Sequence, residues 1–123
     1  VSSSLPAEIA RAKYISVTTF RKNGTGVPTP LWFGYEGGRI YIMTRSDSGK
    51  FKRIRKNPHV TLAACTMRGC ITGPQHSATA RILAQEEWPR ARQTMRRRYW
   101  LMRIPFLWSK QNVFLEIALD TPL

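Results

Sequence analysis

Tyr14–Phe20 (YISVTTF) is rich in β-branched residues and reads as a strand. RKNGTG at 21–26 follows as a turn, with Asn23-Gly24 as a hairpin signal. Pro28–Tyr35 is extended, because two prolines exclude a helix interior and make a regular central strand awkward. After the Glu36-Gly37-Gly38 turn, Arg39–Arg45 alternates, with Ile40, Ile42 and Thr44 on one face and Tyr41 and Met43 on the other. The pattern to this point is a meander. Ser46, Asp47 and Ser48 then offer helix caps. Phe51 and Ile54 give Gly49–Asn57 the apolar spacing of a short helix that Pro58 stops. His59–Thr66 is a small-residue strand, Met67–Gln75 a glycine-bearing loop or bulged hairpin, and Ser77–Ala84 another alternating strand. Trp88, Ala91, Met95, Tyr99 and Met102 place a helix over Glu86–Arg103, ended by Pro105. Val113–Leu119 closes the series as a strand, and LPAEIARAK at 5–13 opens it as a short helix with Pro6 in its first turn. Six strands joined mostly by short turns predict a mainly β fold, a closed or nearly closed antiparallel barrel.

Composition adds charge to this picture. A chain of 123 residues with 42% hydrophobic content suits one domain with one core. Its net charge of +13 calls for an anionic partner: a phosphorylated small molecule, nucleic acid or a membrane surface. No apolar run reaches the ~18 residues of a membrane span, and the first residues lack the basic-then-apolar order of a secretory signal. Cys65 and Cys70, with His59 and His76 nearby, do not form a zinc pattern and read as reduced structural thiols of a cytoplasmic protein. No Ser-His-Asp arrangement, useful carboxylate pair or metal cluster stands out.

The charge concentrates in TRSDSGKFKRIRKNP, 44–58, where Asp47 alone opposes six cations. A solvated helix face, a phosphate site and a nucleic-acid surface are the three readings. The phosphate reading is the most specific. The amides of a helix's first turn point outward and its dipole favours an anion. Gly49 admits an oxyanion to the backbone, Ser48 offers a hydroxyl, Lys50 a point charge, and Arg45 at the preceding strand end a forked guanidinium.

The segments TFRKNGTGVPTPLWFGYEGGRIYIMTRSDSGKFKRIRKNPHVTLAAC and GPQHSATARIL resemble the pyridoxamine 5′-phosphate oxidase-like superfamily of split-barrel flavin and deazaflavin oxidoreductases. They are most similar to its PPOX-class F-420-dependent subgroup, over about residues 14 to 119. The resemblance implies a six-stranded antiparallel split barrel of the FMN-binding type, forming a homodimer with the cofactor groove at its interface. It implies that Thr44, Arg45, Ser48, Gly49 and Lys50 hold the cofactor phosphate. Pro30, Leu31, Trp32 and Phe33 would run along the tricyclic ring, and Lys52 and Arg55 would reach a longer anionic tail. The cofactor would be the deazaflavin F-420, or second FMN, since a long basic groove suits a polyglutamate tail. No catalytic side chain is expected, because the redox atoms belong to the cofactor. Hydride would pass to or from a conjugated small molecule.

A second function class stays open: a small barrel that binds nucleic acid or another anion without catalysis, through basic and aromatic residues. No recognition-helix pair or RNP-type run supports nucleic acid, so none is expected as partner. A flavin- or haem-binding sensor or storage protein is the third possibility. The basic, aromatic stretch 96–111 matches no family motif; Trp100, Phe106 and Trp108 read as a dimer contact or as a cover for the ring.

Overall fold

The computed structural model describes residues 5–98 and 112–120. Seven strands run in chain order: β1 (Tyr14–Phe20), β2 (Gly26–Leu31), β3 (Gly34–Glu36), β4 (Arg39–Arg45), β5 (His59–Cys65), β6 (His76–Ile82) and β7 (Asn112–Leu119). Three α-helices join them: α1 (Ala7–Arg11), α2 (Gly49–Lys56) and α3 (Trp88–Arg98), the last preceded by a 3-10 turn at Gln85–Glu87. All seven strands form one antiparallel sheet in the order β2-β1-β5-β6-β7-β4-β3, curled into a split barrel.

The count of seven corrects the expected six. The extended run Pro28–Tyr35 is two strands. β2 pairs with β1 as far as Leu31 opposite Ile15, and β3 pairs with β4 from Gly34 opposite Tyr41. These hairpins stand at opposite ends of the sheet order, so Trp32 and Phe33 carry the chain from one to the other. The expected meander is therefore two separate hairpins. The edge position of β2 suits Pro28 and Pro30, which donate nothing to a ladder. At the β1–β2 turn Gly24 takes φ +88°, and the turn closes with Arg21 N–H to Thr25 O at 2.9 Å.

Alternation fills both sides of the sheet. Inside, Ile15, Val17, Ile40, Ile42, Leu62, Leu115 and Ile117 are wholly buried, each contributing about 1.5–3 kcal/mol. Outside, Tyr41 and Phe114 pack with Leu83 and with Ala91 and Met95 of α3, so the apolar stripe read at 88, 91 and 95 is the face α3 buries. Tyr99 and Met102 fall outside the described residues. Gly34 lets this helix approach. A Cβ there would lie 2.9 Å from the Thr94 carbonyl carbon and oxygen. Glu116, between those apolar residues on β7, is nearly buried. It accepts from Arg39 at 2.8 Å and from the Tyr41 hydroxyl at 3.3 Å, and pairs with Arg81 at 3.3 Å. One carboxylate thus ties β4, β6 and β7, and burial raises the Tyr41 phenol above its ordinary range.

α1 is too short to stand alone. It is held by Ile9, wholly buried, and by Glu8, whose carboxylate lies 3.0 Å from His76 Nε2 on β6. That hydrogen bond holds the Glu8 carboxyl below its ordinary 4.5. A carboxyl lowered on folding stabilises the fold above its unfolded value, and the gain is lost as pH falls through and below about 4.5. Thermal midpoints of wild type and Glu8→Gln are expected to differ near neutrality and to converge on acidification. A constant gap would show that the pair contributes nothing.

Candidate functional site

α2 begins as its sequence predicts. Ser48 is the N-cap, extended at φ −77°, ψ 154°, and its hydroxyl oxygen accepts from Phe51 N–H at 3.1 Å. Phe51 and Ile54 bury the helix's apolar side, and Asn57 before Pro58 ends it. The Thr44 hydroxyl at the end of β4 lies 3.1 Å from that of Ser48. When Thr44 donates, the Ser48 proton is left to point at a ligand. The amides of Gly49 and Lys50 precede the first intrahelical bond, Lys52 N–H to Ser48 O at 3.2 Å. Lys50 is half-buried and has no hydrogen bond or ion pair among the described residues. Burial first, and then the Arg53 charge, lower its ammonium below the ordinary lysine value. A half-buried cation with no anionic partner among the described residues, in the first turn of a helix whose N-cap and preceding strand end carry hydroxyls, fits a phosphate in donor type and charge.

Arg45 departs from the expected cradle. Its Nε and Nη2 each donate to Asp47 at 3.0 Å, which lowers the Asp47 carboxyl and raises the guanidinium. Its fork faces the one anion of the basic stretch, and both groups are exposed. Of the two cations expected at a longer anionic tail, Arg55 lies over the Phe51 ring at 5.8 Å, and Lys52 lines a groove with Gly49, Arg53 and Lys56.

Pro30, Leu31 and Trp32 line an apolar groove of about 290 Å³ with Tyr14, Met43 and Met95. Trp32 lies between the β2 and β3 ladders, and Met43 precedes Thr44 on β4. Phe33 differs from its neighbours: its ring is wholly buried in the barrel core, so only its backbone is placed to face a ring. Sequence reading missed Tyr14, Met43 and Met95, which come from three elements that only the fold brings together. Among the described residues no group of three metal-ligating side chains occurs, and no helix is long and apolar enough to cross a membrane.

The profile of the pyridoxamine 5′-phosphate oxidase family matches residues 4–117. The chain belongs to this family. Solved structures share the oxidase family's barrel at low identity. A haem storage protein of Vibrio cholerae is 11% identical with a TM-score of 0.77, covering 93% of this chain and 86% of its own. An FAD-binding protein of Mesorhizobium loti is 16% identical at 0.63, covering 94% and 85%. A haem-binding protein of Mycobacterium smegmatis is 12% identical at 0.66, covering 94% and 52%. No curated protein matches the sequence. At these identities the likeness is one of fold.

Proposed function

We propose that this oxidase-family chain binds a phosphate-bearing flavin-type cofactor, F-420 first and FMN second, and works as an oxidoreductase on a conjugated small molecule. The carrying observation is Lys50: half-buried and without an anionic partner among the described residues, at the start of a helix capped by Ser48 and backed by Thr44. Ser48, the Gly49 and Lys50 amides and the Lys50 ammonium would hold the phosphate. Pro30, Leu31 and Trp32, with the Phe33 backbone, would lie along the ring system. The cofactor supplies hydride chemistry when bound. The chain binds and orients it, and the apolar groove keeps water from one side. F-420 precedes FMN because α2 continues from the cradle into Lys52, Arg53 and Lys56, a basic wall that suits an anionic tail.

The haem-binding relatives supply the competing reading. Haem iron is commonly held by a histidine. Here His76 is engaged with Glu8 and His59 stacks on Phe20 at 5.4 Å, and neither lines the apolar groove. This supports flavin over haem. Titrating the protein with F-420, FMN and haem tests the choice, read by fluorescence for the first two and by the Soret band for the third. Saturable haem binding with none of either flavin type would overturn the proposal.

The site is proposed to be shared between two copies of the chain in a cytoplasmic homodimer. The turn after β5 carries Met67, 67% exposed, and Ile71, 47% exposed. Gly69, in the same turn, stands against Pro30 at the rim of the apolar groove. An exposed apolar patch at a groove rim is the surface a partner covers. Light scattering at micromolar concentration with cofactor present should give twice the chain mass, and Met67→Asp should halve it. A wild-type monomer would contradict the shared site. The expected aromatic contacts at Trp100, Phe106 and Trp108 lie outside the described residues.

A further inference from the structure

Tyr14, Pro30, Leu31, Trp32, Met43 and Met95 line the apolar groove. None of them is charged, and Tyr14 alone carries a hydroxyl. Pro30, Leu31 and Trp32 have a place along the cofactor ring in the proposal above. Tyr14 has none yet.

The backbone at Tyr14 is held from two sides. It is the first residue of β1 and stands opposite Cys65 of β5. The next residue, Ile15, is wholly buried and stands opposite Leu31, itself a residue of the groove. On the other side α1 ends at Arg11 and is docked by buried Ile9 and by the contact between Glu8 and His76. The Tyr14 side chain is half-buried, and its hydroxyl has no hydrogen-bonding partner among the described residues. Tyr41 makes the contrast: its hydroxyl donates to Glu116 at 3.3 Å. Tyrosine hydroxyls in apolar surroundings as a rule find a partner, and that of Tyr14 is left for a ligand.

We propose that the Tyr14 hydroxyl donates a hydrogen bond to a carbonyl oxygen of the cofactor ring, and so sets which way round the ring lies in the groove. This rests on the flavin-type reading of the site. Rings of that type have two unlike ends: one is an aromatic carbocycle, the other bears two carbonyls. Leu31, Met43 and Met95 suit the first. A carbonyl entering the same groove gives up its water, which is costly unless a donor replaces it. Tyr14 is a donor already in place. Reduction of the ring adds negative charge at the carbonyl-bearing end, and a hydrogen bond to a charged acceptor is the stronger one. Tyr14 is therefore a positioning residue that also favours the reduced form.

The probe is lumiflavin, the ring without side chain or phosphate, which reads the groove apart from the cradle. The variant is Tyr14→Phe, which keeps the aromatic ring and removes only the hydroxyl. Fluorescence titration should show lumiflavin binding wild type about three- to tenfold more tightly than the variant, the usual worth of one hydrogen bond. With FMN bound, the two-electron potential of Tyr14→Phe should lie about 30 mV below that of wild type, which corresponds to a tenfold weaker hold on the reduced ring relative to the oxidised one. A further measurement uses wild type alone. Lumiflavin with sulfur in place of one carbonyl oxygen is a weaker acceptor, and one of the two such analogues should bind less tightly than the parent. Equal lumiflavin affinity and equal FMN potential in wild type and Tyr14→Phe would overturn the inference and leave the cofactor reading standing. So would equal binding of lumiflavin and both sulfur analogues. Failure of wild type to bind FMN, F-420 or lumiflavin would overturn the cofactor reading, and this inference with it.

Discussion

Lys50→Ala is expected to weaken binding of F-420 or FMN about ten- to a hundredfold, while Lys56→Ala changes it less than about fivefold. A charge-assisted hydrogen bond contributes roughly 1.5–3 kcal/mol, and each ~1.4 kcal/mol is a factor of ten in affinity. Lys50 is half-buried in the first turn of α2, where the dipole and the outward amides favour an anion, and burial has already lowered its ammonium. Removing it leaves the phosphate with hydroxyls and amides alone. Lys56 is exposed in the last turn, where exposed charges contribute ~0–1 kcal/mol. Fluorescence titration of both variants separates the cases. Equal losses would mean a diffuse basic surface with no cradle.

Gly34→Ala is expected to destabilise the fold by about 1–3 kcal/mol, the usual effect of forcing a methyl into a packed contact. For a domain near this size each kcal/mol lowers the melting midpoint by about 3–6 °C. The added Cβ meets backbone, the Thr94 carbonyl at 2.9 Å and the Met95 nitrogen at 3.0 Å, and backbone cannot rotate aside as a side chain does. α3 must move off β3. That move loosens Met95 and Ala91 against Tyr41 and Phe114, and Met95 also lines the apolar groove. A thermal melt followed by tryptophan fluorescence reads the effect. An unchanged midpoint would mean that α3 has room to retreat and is not seated by this contact.

Local chemistry was legible in the sequence. Asn23-Gly24 marked the β1–β2 hairpin, and the prolines at 28 and 30 marked an irregular strand, which the fold places at an edge. Ser48 and Pro58 bounded α2, because caps and breakers act over a few residues. What depends on distant partners was not legible. The split at Trp32-Phe33 carries no turn residue. It exists only because β1 and β4 stand far apart in the sheet order. Arg45 was read toward a phosphate, but Asp47 two residues on captures its fork. Arg21 and Lys22 lie in a turn in the sequence, and only the fold brings that hairpin beside α2. Glu116 sits among apolar neighbours with no local sign of the two arginines and the tyrosine that surround it.

The central claim is that the start of α2 holds a cofactor phosphate. The most direct measurement is a paired titration: FMN against riboflavin, which lacks only the phosphate, and F-420 against the same deazaflavin with its phosphate removed. The account predicts that in the pair that binds, the phosphorylated form binds at least about tenfold more tightly, and that Lys50→Ala erases most of that difference. Equal affinities with and without the phosphate, in both pairs, would contradict it.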